Sequence, residues 1–387
     1  MKSNNESVFF EFLRAGLWGA NDNQNHNDNL FDGVDWSEVY RLAEEQSVVG
    51  LVTAGLDSLN VPIPQEWRLQ FIGATLQIEQ RNKAMNEFVA KLITLLRKND
   101  IYALLVKGQG IAQCYEKPLW RASGDVDLFL SDTNYEKAKK ELIPIATSVE
   151  KEYLLIKHLG MTIDGFSVEL HGTLRSRLTK RIDREIDKVQ DECFLQGEVR
   201  SWQNGRTQVF LPGPNQDVIF VFTHILHHLF IEGIGLRQIC DWCRLLYCYR
   251  DKLDLRGLES RIRRMGLMSE WKAFFTLATK YLGMPEEVSG FMFFDERSDK
   301  VDDQDSSFSK WERKADRLLD FILETGNFGH NRMVQEVQGS NSSKFKRNLS
   351  TLCRRTSDAF KMMRIFPVDA WKMYFGMIRT GLILKAE

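Results

Sequence analysis

Asp125 and Asp127 stand two residues apart in the run Gly124-Asp-Val-Asp-Leu-Phe-Leu130. In a β-strand that spacing puts both carboxylates on one face, while Val126, Leu128 and Leu130 turn to the other. Two acids so close repel each other unless a cation or a shared proton offsets the charge. Two readings follow for the pair alone: a metal site, or a strand end with two solvated acids. A third acid bears on the choice. The run Phe166-Ser-Val-Glu-Leu-His171 alternates strictly, with Phe166, Val168 and Leu170 on one face and Ser167, Glu169 and His171 on the other. If this strand lies beside the first, Asp125, Asp127 and Glu169 converge. Three carboxylates make the oxygen environment Mg²⁺ takes, with waters and substrate phosphates completing its octahedron. Phosphoryl transfer uses the same chemistry, in which ions clamp the attacking and departing oxygens and a carboxylate takes the proton of the attacking hydroxyl.

The elements that must position these acids follow from periodicity. Ile101 to Val106 is a short apolar run ending at Lys107-Gly108, and Asp132 to Ile145 has a helical pattern. Tyr153 to Ile163 and Phe166 to Leu170 are expected strands, joined by the hairpin signal Asp164-Gly165. Upstream the spacing predicts helices over Ser7 to Trp18, from the Asp35 cap to about Gln46, and over Gln65 to Arg97, with breaks at the polar run Ala20 to Asn29 and at Asn60-Val-Pro-Ile-Pro64. Downstream, Leu178 to Gly197 is helical, and Leu211-Pro-Gly-Pro-Asn215 opens a second helical region with Asn215 as a candidate cap. The expected fold class is α+β, with a small mixed sheet over 100–212 between helical regions at 1–99 and 213–387.

Lys107-Gly108, Arg121-Ala-Ser-Gly124-Asp-Val-Asp127 and Val168-Glu-Leu-His171, followed by a helical tail, resemble the polymerase-β-type nucleotidyltransferase superfamily. More narrowly, they resemble the uncharacterised nucleotidyltransferase family often associated with bacterial polysaccharide gene clusters. In the superfamily a strand ends in a small-residue turn that opens a helix towards the triphosphate, an Asp-x-Asp strand follows, and a later strand brings a third acid. The resemblance covers residues 100 to 175 and, more loosely, the helices on either side. It implies Mg²⁺-dependent transfer of a nucleoside monophosphate from a nucleoside triphosphate such as ATP to a hydroxyl or phosphate acceptor, for instance a sugar or another small molecule. Asp125, Asp127 and Glu169 would hold one or two Mg²⁺ ions; Lys107, Gly108, Gln109, Gly110, Arg121 and Gly124 would hold the triphosphate. The chain departs from the pattern at Gln109-Gly110, where the superfamily has a Ser after the first glycine. The hydroxyl that usually touches the triphosphate is absent, although backbone N–H groups at a helix start can still cradle phosphate. A catalytically silent nucleotide-binding or scaffold protein that keeps the fold is therefore the alternative.

The remaining features have structural readings. His224, His227 and His228 share a helix without a third zinc ligand and are expected as packed or surface histidines, one of which could face the substrate cleft. Arg237 and Asp241, four apart, are expected as a helix ion pair. Cys240 and Cys243 lie in an apolar helical run and are expected in a core. Residues 293–308 form an acidic loop, and Ser343 to Lys385 is basic and aromatic, expected as a packing helix with a solvated basic face. The net charge of −1, from 52 basic and 53 acidic residues, recruits no nucleic acid globally, which leaves nucleic-acid end modification through that tail as a weak third option. Six cysteines in 387 residues are too sparse for a disulfide framework, the N-terminus lacks a signal pattern, and no uncharged run reaches the roughly 18 residues of a membrane span. These features predict a soluble cytoplasmic protein.

Overall fold

Strand β1 (Ala103–Val106) and strand β2 (Val126–Leu130) are each buried along their whole length, because both faces of the sheet they form are covered. They pair antiparallel, with Val106 opposite Asp127. The computed structural model describes residues 4–19, 28–231, 233–292, 304–327 and 356–386. Five more strands complete the sheet: β3 (Ser148–Val149), β4 (His158–Ile163), β5 (Phe166–His171), β6 (Val199–Asn204) and β7 (Thr207–Pro212). Their order is β3-β4-β5-β2-β1-β7-β6, mixed because β2 runs parallel to β5 and β1 parallel to β7.

Alternation decides which face each strand residue meets. Leu105, Val126, Leu128, Leu130, Val168 and Leu170 join a core with Met85, Phe88, Leu92 and Leu96, the apolar stripe of a long helix, α4 (Gln65–Lys98), and with Tyr135 and Leu142 of α6 (Asp132–Leu142). Leu104, Val106 and Phe129 face the opposite way, into a larger core built by helices from both ends of the chain. Those helices are α1 (Asn4–Trp18), α2 (Trp36–Glu45), α3 (Val49–Leu59), α7 (Lys180–Leu195), α8 (Pro214–Ile231), α9 (Leu236–Cys248), α10 (Leu255–Met265), α11 (Met268–Leu282) and α12 (Gln304–Thr325). Asp127 shares the second face. The helices therefore determine what closes over the acids, and a five-residue helix, α5 (Gly108–Ala112), follows β1 beside them.

The expected regions 1–99, 100–212 and 213–387 share this larger core. Phe9, Phe12 and Val52 belong to the same cluster as Phe222, Trp242 and Trp271. Helix α1 crosses α3 at Gly16 and Gly55, where a Cβ on either glycine would run into the Leu51 or Phe12 carbonyl, and Trp18 Nε1 donates to the Leu282 carbonyl at 2.6 Å.

Two local expectations need correction, and one hairpin lay outside them. The strand expected from Tyr153 begins only at His158, because Leu154–Ile156 forms a 3₁₀ turn and Lys157 takes φ +45°. Asn215 does not cap α8; the helix starts at Pro214, and Asn215 Oδ1 accepts the Asp254 N–H at 2.9 Å. The β6–β7 hairpin was not expected at all. Residues 20–27 of the polar run, 293–303 of the acidic stretch and 328–355, including the start of the basic tail, lie outside the described residues. From 304 the chain is helical, and a last helix, α13 (Pro367–Ala386), follows the helical stretch 356–365. Met362, Ile365, Phe366, Ala370 and Met373 enter the large core, as expected of a packing helix. Among the described residues no helix is long and apolar enough to cross a membrane.

Candidate active site

The parallel pairing of β2 and β5 sets Asp127 directly opposite Glu169. Asp125 lies just before β2, and one carboxylate oxygen from each of Asp125, Asp127 and Glu169 falls within 4.8 Å of the others. Asp127 is only 2% exposed, and a buried carboxylate needs compensation. It has two cationic partners: Lys107 Nζ at 2.9 Å and His171 Nε2 at 2.8 Å, both on Oδ1. Lys107 reaches it because β1 ends opposite Asp127 and the chain then turns through φ +60° at Lys107 and φ +42° at Gly108. A non-glycine residue at positive φ is costly. Here it carries the ammonium out of the strand and over the acids.

The fields around these groups oppose one another. Burial alone would lower Lys107, but the charges of Asp127, Asp125 and Glu169 outweigh it and hold its pKa up. The neighbouring Asp127 charge and burial raise the Asp125 carboxyl. Burial would raise Glu169, yet hydrogen bonds from His158 (Nε2 to Oε2, 3.1 Å) and His171, with the positive charges nearby, hold it well below the usual carboxylate range. His171 is drawn up by Asp127 and Glu169 against the effect of burial, whereas burial and the Lys107 charge keep His224 far below an ordinary histidine. His224 Nε2 lies 3.5 Å from Lys107 Nζ.

The residues expected to hold triphosphate are divided. Lys107, Gly108, Arg121 and Gly124 line a cavity of about 300 Å³ together with Asp125 and Asp127. Gln109 does not; its amide is buried against the Met85 sulfur, and its Oε1 has no partner. Gly110 packs beneath Leu211, whose Cδ2 would lie 2.7 Å from an added Cβ, so this glycine makes room for β7. Arg121 lines the cavity but its guanidinium is committed: Nε donates to Asp241 Oδ1 at 3.0 Å, Nη2 to Oδ2, and Nη1 to Ser123 Oγ. Tyr115 Oη donates to the same carboxylate at 2.8 Å. The expected helix pair of Arg237 with Asp241 is therefore replaced. Arg237 instead donates from Nη1 to the Ala122 carbonyl at 2.9 Å, and its buried Nε has no hydrogen-bond partner among the described residues. Burial and repulsion from Arg121 lower it to about 10.

A second cavity, of about 590 Å³, adjoins the first along Lys107, Glu169, His224 and His228, and extends past His158, His171 and Arg177. His224 and His228 of α8 thus border both spaces, and His227 lines the larger one. Sequence reasoning missed His158, His171 and Arg237 as members of the site. For His171 a signal existed, since it shares the polar face of β5 with Glu169. Cys240 and Cys243 are fully buried in the core.

A family model described as an uncharacterised nucleotidyltransferase matches residues 32–283. The chain belongs to that family. No curated protein and no solved structure matches it. The match takes in every candidate residue of the site, together with α8 and α9, which close over the acids. Its α+β fold, with a seven-stranded mixed sheet between helical flanks, is the one expected from the sequence.

Proposed function

We propose that the protein transfers a nucleoside monophosphate from a nucleoside triphosphate to a hydroxyl or phosphate acceptor, in a Mg²⁺-dependent reaction with pyrophosphate leaving. The observation that carries this reading is the convergence of Asp125, Asp127 and Glu169 within 4.8 Å. The donor set is all oxygen and anionic, which suits Mg²⁺. When bound there, the ion supplies charge neutralisation for the phosphates and lowers the pKa of a coordinated hydroxyl. The three carboxylates would hold it. Glu169, kept ionised by its histidine partners, fits a ligand better than a proton acceptor.

The smaller cavity suits the triphosphate. Lys107 and Arg237 border it, and the buried Nε of Arg237, which has no hydrogen-bond partner among the described residues, suits a phosphate oxygen. Gly108 leaves the backbone open beside Asp125. The larger cavity, on the Glu169 side, suits the acceptor. Arg177 lines it with a buried Nε that has no hydrogen-bond partner among the described residues, a position suited to a negative group on that acceptor.

One observation favours a silent nucleotide binder instead. Lys107 and His171 both occupy Oδ1 of Asp127, and such contacts compete with a metal. Pyrophosphate release from each nucleoside triphosphate, with Mg²⁺ and a panel of sugars and sugar phosphates, separates the readings. Release by the wild type that Asp125→Asn abolishes is the expected outcome. Tight Mg²⁺-dependent nucleotide binding with no release under any acceptor would favour the silent binder.

A further inference from the structure

We infer that His158, Glu169 and His171 form a second cation site, beside the three-carboxylate site, for a dication that accepts imidazole ligands, such as Zn²⁺ or Co²⁺. The β4–β5 hairpin builds it. His158 is the direct register partner of His171, and Glu169 lies two residues before His171 on the same face. The residue opposite Glu169 on that face is Gly160, and the Glu150 side chain packs over it, its Oε2 2.5 Å from where a Cβ would lie.

The ligand atoms are already aimed inwards. One atom from each residue lies within 4.8 Å of the other two. Both imidazoles present Nε2 to one oxygen, Glu169 Oε2, at 3.1 Å from His158 and 3.3 Å from His171, and the same His171 nitrogen lies 2.8 Å from Asp127 Oδ1, a contact that an ion at this site would replace. The ring centroids are 5.0 Å apart. All three side chains border the 590 Å³ cavity, which gives an ion access and leaves coordination positions for water or substrate.

Ligand chemistry distinguishes this place from its neighbour. Asp125, Asp127 and Glu169 offer oxygen only and suit Mg²⁺, whereas two imidazoles with one carboxylate favour zinc, cobalt, nickel or iron(II). Glu169 belongs to both sets, and its two oxygens allow it to serve adjacent ions. The ordinary alternative is that the histidines only hydrogen-bond Glu169 and hold it charged.

Co²⁺ titration of the full chain, read by visible d–d absorption, decides between these. The wild type is expected to develop nitrogen-ligand bands that Mg²⁺ does not displace, and Asp125→Asn to keep them. In His158→Ala the Co²⁺ affinity is expected to fall at least tenfold. His158→Cys covers the case in which the alanine variant fails to fold: a ligand at this position adds a thiolate-to-cobalt charge-transfer band in the near ultraviolet that the wild type lacks. Wild-type Co²⁺ affinity in a folded His158→Ala, or no new band in a folded His158→Cys, would overturn the site. Bands that survive His158→Ala but vanish in His228→Ala would do the same by placing the ion among the α8 histidines. Loss of nucleotide binding in Asp125→Asn, with the cobalt bands intact, would show the two sites failing or standing independently.

Discussion

Asp127 and Glu270 are both buried carboxylates, and their surroundings give them opposite behaviour. Asp127 has Lys107 and His171 within hydrogen-bonding distance of one oxygen. Glu270, fully buried in α11, has no hydrogen-bond partner on either carboxylate oxygen among the described residues. Burial, with the Asp369 charge nearby, pushes it up to about 8, against smaller opposing effects from Lys314 and Lys372. An acid whose folded pKa is raised stabilises the fold relative to its ionised form below the unfolded pKa, and that stability is lost as pH rises through the folded pKa. From about 4.5 to about 8 the Glu270 contribution therefore declines by roughly 4–5 kcal/mol. Glu270→Gln is expected to stabilise the protein at pH 8 and to flatten its pH dependence across this window, as measured by denaturant unfolding at several pH values. An unchanged pH profile would refute it. At this scale the Asp pair and Glu169 were legible, because alternation alone assigns their faces. His158 was not, since its place beside Glu169 depends on the register of a hairpin and on where β4 starts.

Elements meet at the site through the Arg121–Asp241 pair, which fastens α9 to the segment leading into β2. Both side chains are about 95% buried, so removing one leaves the other as an uncompensated charge. Arg121→Ala is expected to cost about 3–5 kcal/mol. Arg121→Met combined with Asp241→Leu is expected to cost clearly less than the sum of the two single changes, because neither charge is then left alone. Denaturant midpoints for the cycle check this, and additive losses would show that the pair does not couple the elements. The pairing itself was hidden in the sequence. Arg237 lies four residues from Asp241 on α9, which suggests a local pair, but the partner that wins lies 120 positions away. The β6–β7 hairpin escaped for another reason. As the edge strand, β6 reads Val-Arg-Ser-Trp-Gln-Asn, with every second residue exposed, and edge strands carry polar residues that blur the apolar signal.

At the scale of the whole molecule, helices from both ends of the chain share one core against the face of the sheet that carries the acids, and α8 and α9 leave the two cavities where that cover is incomplete. The α+β class and the central sheet were readable from short apolar runs between helical patterns. The joint packing of the terminal helices was not, because amphipathic periodicity marks an apolar stripe without naming what it meets. The proposed function makes its claim at this scale: metal at the carboxylates would bring nucleotide into the smaller cavity. The most direct test is calorimetric titration of nucleoside triphosphate into wild type and Asp125→Asn, with and without Mg²⁺. The account predicts Mg²⁺-dependent binding in the wild type and at least a tenfold loss of affinity, about 1.4 kcal/mol, in a folded Asp125→Asn. Equal affinity in both proteins, or wild-type binding indifferent to Mg²⁺, would contradict it.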